Sequence, residues 1–362
     1  MSNSFGTIFR ITTWGESHGK AIGVVIDGCP AGLSIHQDEI NAALELRAPG
    51  RNPYTSPRGE KDVAEILSGI FEGKTTGTPI CIIIPNKDAD SSKYEPIKNL
   101  LRPGHANYTY LKKYGIFDYR GGGRSSARET ACRVAAGCIA KKLLSHYGIK
   151  LTAYIKQIGA VEAKVAQHDF ERLHTLTYQS PIFCPDEHAA HQMTALIEQV
   201  KTEGDSLGGV IEFIATELPA GLGDPVYGKL EANLASAMMS LPAAKGFELG
   251  SGFGAVTMPG SEHNDLFIEK NGKIQTETNY AGGTLGGITT GMPLIGRVAF
   301  KPTSSIMKPQ ETLNLSKEEV PFQLPASSRH DPCVAIRAVP IVEAMLALVL
   351  VDALLINRCA RL

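Results

Sequence analysis

Arg120-Gly121-Gly122-Gly123-Arg124-Ser125-Ser126 is the stretch of this chain best suited to holding an anion. Three glycines let the backbone come close to a ligand. The sequence that follows reads as a helix over 125–147, with Ser126-x-x-Glu129 as its capping box and Gly148 as its stop. A helix start offers unpaired N–H groups and the positive end of a dipole, and Arg124, Arg128 and Arg133 add formal charge. The segment is neither a phosphate-binding Gly-Lys-Ser/Thr loop nor a Gly-x-Gly-x-x-Gly dinucleotide turn.

Three further motifs carry acid–base groups. Gly15-Glu16-Ser17-His18-Gly19 places a histidine between two glycines in a tight connection, where it can serve as a general acid. Arg102-Pro103-Gly104-His105-Ala106 sets a histidine three residues after an arginine, across a stiff turn. Arg329-His330-Asp331-Pro332-Cys333 precedes the most apolar segment, and Pro332 pushes Asp331 toward an extended backbone. Lys301–Ser305 and Gly282–Gly287 are polar loops of the same character. Together these loops suggest convergence on one polyanionic pocket. His188 and His191 lie three apart with no third ligand in view, so no metal is expected. Trp14 and the Met238-Met239 pair read as core.

The elements around these loops follow from hydrophobic periodicity. Residues 5–13 and 21–28 read as strands joined by the His18 turn, and 37–47 reads as a helix. Two apolar runs flanking Gly73–Gly77 suggest another strand pair. The 47–61 segment, with three prolines, three arginines and a lysine, reads as a loop that orders on binding an anion. Residues 160–204 are polar and weakly patterned, which places them at the periphery. The run 338–356 is apolar on nearly all sides; Glu343 and Asp352 leave it no charge-free span long enough for a bilayer, so a buried helix is expected. GVVIDGCPAGL at 23–33 resembles GVIEFIATELPAGL at 209–222, and TTGTPI at 75–80 resembles TTGMPL at 289–294. The repeated order suggests an ancient duplication, with halves of roughly 1–150 and 205–362 packed into a single domain over 1–362.

Composition narrows the function. The 36 basic and 37 acidic side chains leave a net charge of −1, which argues against a general nucleic-acid or membrane-surface role. Any anion site must therefore be local. Seven cysteines without a Cys-x-x-Cys read as reduced thiols of a cytoplasmic protein, several filling the core. The opening MSNSFGTIFR has no basic region followed by an apolar run, so no secretory signal is expected.

The motifs together resemble the chorismate synthase family. The resemblance rests on Gly15–Gly19, Arg102–Ala106, Asp118–Thr130, Gly282–Gly287, Lys301–Ser305 and Arg329–Cys333, and covers essentially the whole chain. It implies a lyase that converts 5-enolpyruvylshikimate 3-phosphate to chorismate and phosphate by a 1,4-anti elimination. Reduced FMN is required, without net redox change. It also implies an α+β fold, a β-α-β sandwich with helices between antiparallel sheets, and a homotetramer. By the same resemblance His18 sits near the flavin, His105 protonates the leaving phosphate and Asp331 assists removal of the ring hydrogen. Ser17 and Ser125 support that network. Arg47, Arg102, Arg128 and Arg337 are the implied substrate holders. Implied flavin contacts are Arg124, Ser125, Ser126, Pro242, Ala243, Gly286, Lys301, Pro302, Thr303, Ser304, Ser305 and Arg329.

Two departures from the family pattern stand out. The usual arginine run thins to Leu46-Arg47-Ala48-Pro49-Gly50, and Pro53 stands where a loop arginine for NADPH or substrate is common, so Arg47 is the remaining NADP candidate. Asn107 replaces the usual aspartate after Gly-His-Ala, which should slightly lower the affinity of His105 for a proton. A plain flavin reductase is the competing reading. It needs a nicotinamide site, and the chain has no dinucleotide fingerprint.

Overall fold

The computed structural model describes residues 3–56, 59, 62–87, 91–167, 169–325 and 330–361. The chain opens with β1 (Ser4–Phe5), β2 (Arg10–Gly15) and β3 (Ala21–Asp27), then helix α1 (Gln37–Arg47). Short strands β4 (Glu65–Ile66), β5 (Ile70–Phe71) and β6 (Lys74–Thr75) lead into β7 (Ile80–Pro85). Helices α2 (Asn107–Tyr114) and α3 (Thr130–His146) follow, then β8 (Lys150–Ile158), β9 (Val161–Glu162), α4 (Phe170–Gln179), α5 (Glu187–Thr202) and β10 (Gly209–Thr216). Next come α6 (Leu230–Met239), β11 (Ala244–Leu249) and α7 (Gly260–His263). Three hairpin pairs, β12 (Phe267–Lys270) with β13 (Lys273–Thr276), β14 (Thr284–Leu285) with β15 (Ile288–Thr289), and β17 (Gln310–Leu313) with β18 (Glu319–Phe322), flank the long strand β16 (Leu294–Phe300). The last element is α8 (Val334–Asn357).

Two five-stranded antiparallel sheets form the outer layers, in the orders β1-β2-β3-β7-β4 and β11-β16-β10-β8-β9. Helix α3 packs beneath the first sheet, α6 and α8 pack beneath the second, and α1 packs against α3 and α8. The strands that face the helices alternate, as in β16, where every second residue is buried. This is the expected α+β sandwich with helices between antiparallel sheets.

The two central helices, α3 and α8, touch closely because Gly137 has no side chain. A Cβ there would stand 2.4 Å from that of Ala344. Helix α8 is apolar on all sides and is long enough to cross a membrane by composition alone, but 89% of its most apolar window is buried inside the protein. Its two acids serve different partners. Glu343 accepts from Lys141, from Tyr178 Oη at 2.7 Å and from the Ala153 amide. Asp352 accepts from the amides of Thr7, Ile8 and Phe9.

The two internal sequence echoes adopt the same local geometry. The Thr75 hydroxyl donates to Pro30 O at 2.6 Å and accepts from the Leu33 amide at 2.9 Å. The Thr289 hydroxyl donates to Pro219 O at 2.7 Å and accepts from the Leu222 amide at 2.8 Å. Strands β3 and β10 lead into these turns, and their antiparallel partners β7 and β16 follow Thr75 and Thr289.

Several local expectations change. The helix expected over 125–147 begins only at Thr130, after two 3₁₀ turns at Gly123–Ser125 and Ala127–Glu129. Ser126 caps the second turn, but Glu129 turns instead to Thr13 and Arg133, so no capping box forms. The polar 160–204 region contains two regular helices, whose few inward residues (Leu173, Met193, Ile197) suffice to dock them. Trp14 is half-exposed, lying over Gly23 at the sheet edge, and Met239 is exposed while Met238 is buried. The seven cysteines are free thiols, four of them buried.

Candidate active site

A cavity of about 420 Å³ opens where the loops after β2, β16 and α1 meet the starts of α3 and α8. Its wall includes His18, His105, Asp331, Ser17 and Ser125, which are the acid–base groups and their supports expected from the sequence. Arg47, Arg102, Arg128 and Arg337 also line it, as do Ser126, Pro242, Ala243 and the run Lys301, Pro302, Thr303, Ser304 and Ser305. Arg124 and Gly286 do not. The Arg124 guanidinium turns to the backbone oxygen and hydroxyl of Thr13, and Arg133 turns to Glu129 and Ser240. Both charges expected at the anion site are thus drawn off by Glu129 and its neighbours. Gly286 caps the β14/β15 hairpin, next to the start of α6. Arg329 lies outside the described residues.

Glycine backbone geometry places His18. Gly121 has φ +69°, and a Cβ on it would meet His18 Cδ2 at 2.7 Å and Ser17 Oγ at 2.9 Å. The Tyr94 ring meets His18 edge-on at 5.2 Å and lies 5.8 Å from the Arg102 guanidinium. Asn86 donates to Glu16 O and Gly19 O, fixing the His18 turn, and accepts from Arg128 Nε at 2.8 Å. Neither Tyr94 nor Asn86 belongs to a motif singled out in the sequence; each sits in a segment with no periodic signal.

The second histidine is carried by a turn pinned to the β17/β18 hairpin through Leu101. Arg102 donates to Ser305 Oγ at 3.0 Å, and Lys301 Nζ donates to Gly104 O at 2.8 Å. Asn107 uses its side-chain N–H on Leu100 O at 2.8 Å, a bond that an aspartate could not donate. Burial, then the charges of Arg102, His330 and Lys301, push the His105 pKa down to about 3. The depression is in the expected direction, but burial is the leading cause.

Asp331 stands at the start of α8. Its Oδ2 accepts from Arg337 Nη1 at 2.7 Å and its Oδ1 from the Ser56 amide at 2.8 Å. Arg337 also donates to Arg47 O. Residues 48–56 of the loop after α1 pack against the rest of the protein, while 57, 58, 60 and 61 lie outside the described residues. Arg51 stacks 4.2 Å over Phe183, Asn52 donates to Pro181 O, and Lys201 donates to Pro53 O.

Four buried polar atoms of cavity-lining residues, Ser17 Oγ, Arg47 Nε, His105 Nδ1 and Thr303 Oγ1, have no partner among the described residues. Buried polar groups are normally satisfied, so these four are candidates to meet a ligand. Four arginines, unpartnered polar atoms and three histidines (His18, His105 and His330) line one cavity, a set suited to a multiply anionic small molecule.

Residues 9–355 match the chorismate synthase family. The chain is 60% identical to the chorismate synthase of Protochlamydia amoebophila (strain UWE25), over 100% of this chain and 99% of that one. It is 51% identical to that of Methanosarcina mazei, over 98% and 96%. A crystal structure of chorismate synthase superposes with a TM-score of 0.78 at 35% identity, covering 97% of this chain and 92% of the other. The chain belongs to the chorismate synthase family, and the protein is a lyase.

Proposed function

We propose that the protein converts 5-enolpyruvylshikimate 3-phosphate to chorismate and inorganic phosphate, with reduced FMN as cofactor. The observation that carries this reading is that one cavity gathers His18, His105, Asp331 and four arginines from segments spread between residues 17 and 337. The substrate has a phosphate and two carboxylates. Several fixed cations suit such a ligand better than bulk water does, because they are already oriented.

In this reading Arg47, Arg102, Arg128 and Arg337 hold the three anionic groups. Burial and the neighbouring cations favour neutral His105, and a phosphate dianion beside it would raise its proton affinity. It then donates a proton to the departing phosphate as the C–O bond breaks. Asp331, oriented by Arg337 and the Ser56 amide, assists departure of the ring hydrogen. The electrons of the broken C–H bond become the new double bond, so the balance is redox-neutral. Reduced FMN, when bound, supplies an electron-rich ring that eases loss of phosphate. The unpartnered Ser17 and Thr303 hydroxyls, together with Ser126, Pro242, Ala243 and Lys301–Ser305, would hold that group, and His18 on the same wall would serve it as an acid. Arg124, Gly286 and Arg329 would join only through contacts outside this cavity or outside the described residues.

The matching Thr75 and Thr289 turns support descent of the two halves from one duplicated unit within a single domain. The exposed Tyr227, Phe253, Val256 and Ile274 support assembly into a homotetramer. The free thiols suit a cytoplasmic setting. The test is anaerobic turnover of 5-enolpyruvylshikimate 3-phosphate with chemically reduced FMN; a repeat with NADPH and oxidised FMN tests whether Arg47 serves a pyridine nucleotide.

A further inference from the structure

Asp62 belongs to none of the sequence motifs, yet its carboxylate is fully buried behind the cavity wall. Its Oδ2 accepts from Arg47 Nη2 at 2.6 Å, and its Oδ1 accepts from Arg128 Nη1. Both arginines line the cavity. Burial disfavours the charged carboxylate, but the two guanidiniums outweigh it and hold its pKa below the usual range. Other donors of the two arginines are tied to rigid elements. Arg47 Nη1 reaches Ala127 O at 3.2 Å and Thr130 Oγ1 at 3.5 Å. Arg128 reaches Asn86 Oδ1 and, at 3.2 Å, Pro85 O. The Arg47 Nε has no partner among the described residues.

Two buried guanidiniums repel one another, and one carboxylate between them removes only part of that cost. The shared pair of bonds also sets the spacing and tilt of both planes. Arg47 ends α1 and Asp62 lies at the far end of the loop that follows, so the same ion pair clasps the base of the loop whose Ser56 amide reaches Asp331.

We propose that Asp62 is a positioning residue: its carboxylate fixes Arg47 and Arg128 at the separation that receives an anionic group of the substrate, and leaves one positive charge between them for that anion. This rests on the phosphorylated substrate proposed above. Removing the charge should leave two unopposed cations that an anion then stabilises. Lengthening the side chain should keep the charge and displace the guanidiniums.

The experiment compares full-length wild type, Asp62→Asn and Asp62→Glu. Thermal midpoints are taken with and without inorganic phosphate, and kcat and KM are measured for 5-enolpyruvylshikimate 3-phosphate with reduced FMN. Asp62→Asn should lose Tm without phosphate and gain more from phosphate than wild type does, because the anion takes over part of the counter-charge. Asp62→Glu should stay within about 4 °C of wild type in Tm and lose about tenfold or more in kcat/KM through misplacement. Wild-type kinetics in both variants overturn the proposal. So does a Tm loss in Asp62→Asn with an unchanged phosphate response. If wild type itself neither turns over the substrate nor responds to phosphate, the substrate reading fails, and the proposal falls with it.

Discussion

The Ser56 amide donates to Asp331 Oδ1 at 2.8 Å, which ties the basic loop after α1 to the carboxylate at the start of α8. Loop position and carboxylate orientation are therefore one structural variable. Asp331→Ala should lower turnover about 100-fold or more if the carboxylate assists proton removal. It should also loosen the loop. A hydrogen bond to a charged group contributes about 1.5–3 kcal/mol, so protease cleavage within residues 48–56 should speed up about tenfold or more. Unchanged cleavage would separate the loop from Asp331.

Gly121 and Gly123 make a matched pair of probes. Both have positive φ, but only a Cβ on Gly121 strikes His18 and Ser17, whereas that on Gly123 meets open space. Gly123→Ala should cost about 1–2 kcal/mol of stability from backbone strain alone. Gly121→Ala should cost a similar amount plus a loss of about 100-fold in kcat/KM, since the catalytic side chains must move. Equal activity in the two variants would mean that His18 is not held by this contact.

The site was legible where glycine, proline and charge coincide, because those residues mark backbone that must approach a ligand. His18, His105 and Asp331 fall in such runs and do meet in one cavity. Sequence spacing could not show which arginines an internal acid captures. Arg124 and Arg133 sit beside the cavity segment but are taken by Thr13, Glu129 and Ser240. Asp62 is not legible in the sequence, because a lone acid at the end of a Pro/Arg-rich loop has no periodic signature. Helix α5 is where the spacing of His188 and His191 puts a helix, whereas α4 has little periodic signal because it buries only two side chains.

The acid sensitivity of the fold carries a signature of His105. Its pKa is about 3 folded against an ordinary value of 6.5, so the unfolded chain binds the extra proton first. Stability should therefore be intact above about pH 6.5 and fall by up to about 1.4 kcal/mol per unit as pH drops toward 3. His105→Gln should flatten that part of the profile relative to wild type. Parallel profiles for the two proteins would place His105 in a more solvated setting than the cavity shown here.

The contact of α3 with α8 is the structural joint beneath the site. Gly137→Ala brings a methyl against Ala344 Cβ and backbone, which should cost about 1–3 kcal/mol in denaturant unfolding. The loss should appear in Tm and in active fraction together, with KM unchanged. A stability equal to wild type would show that the helices can part without cost.

The central claim is that this cavity eliminates phosphate with reduced flavin. The most direct measurement mixes the purified protein anaerobically with chemically reduced FMN and 5-enolpyruvylshikimate 3-phosphate, and follows chorismate absorbance and phosphate release together. Equal amounts of both products, over many turnovers per flavin, with strong loss in His18→Ala and His105→Ala, are expected. Phosphate without chorismate, or no turnover from protein that binds FMN, would contradict the account.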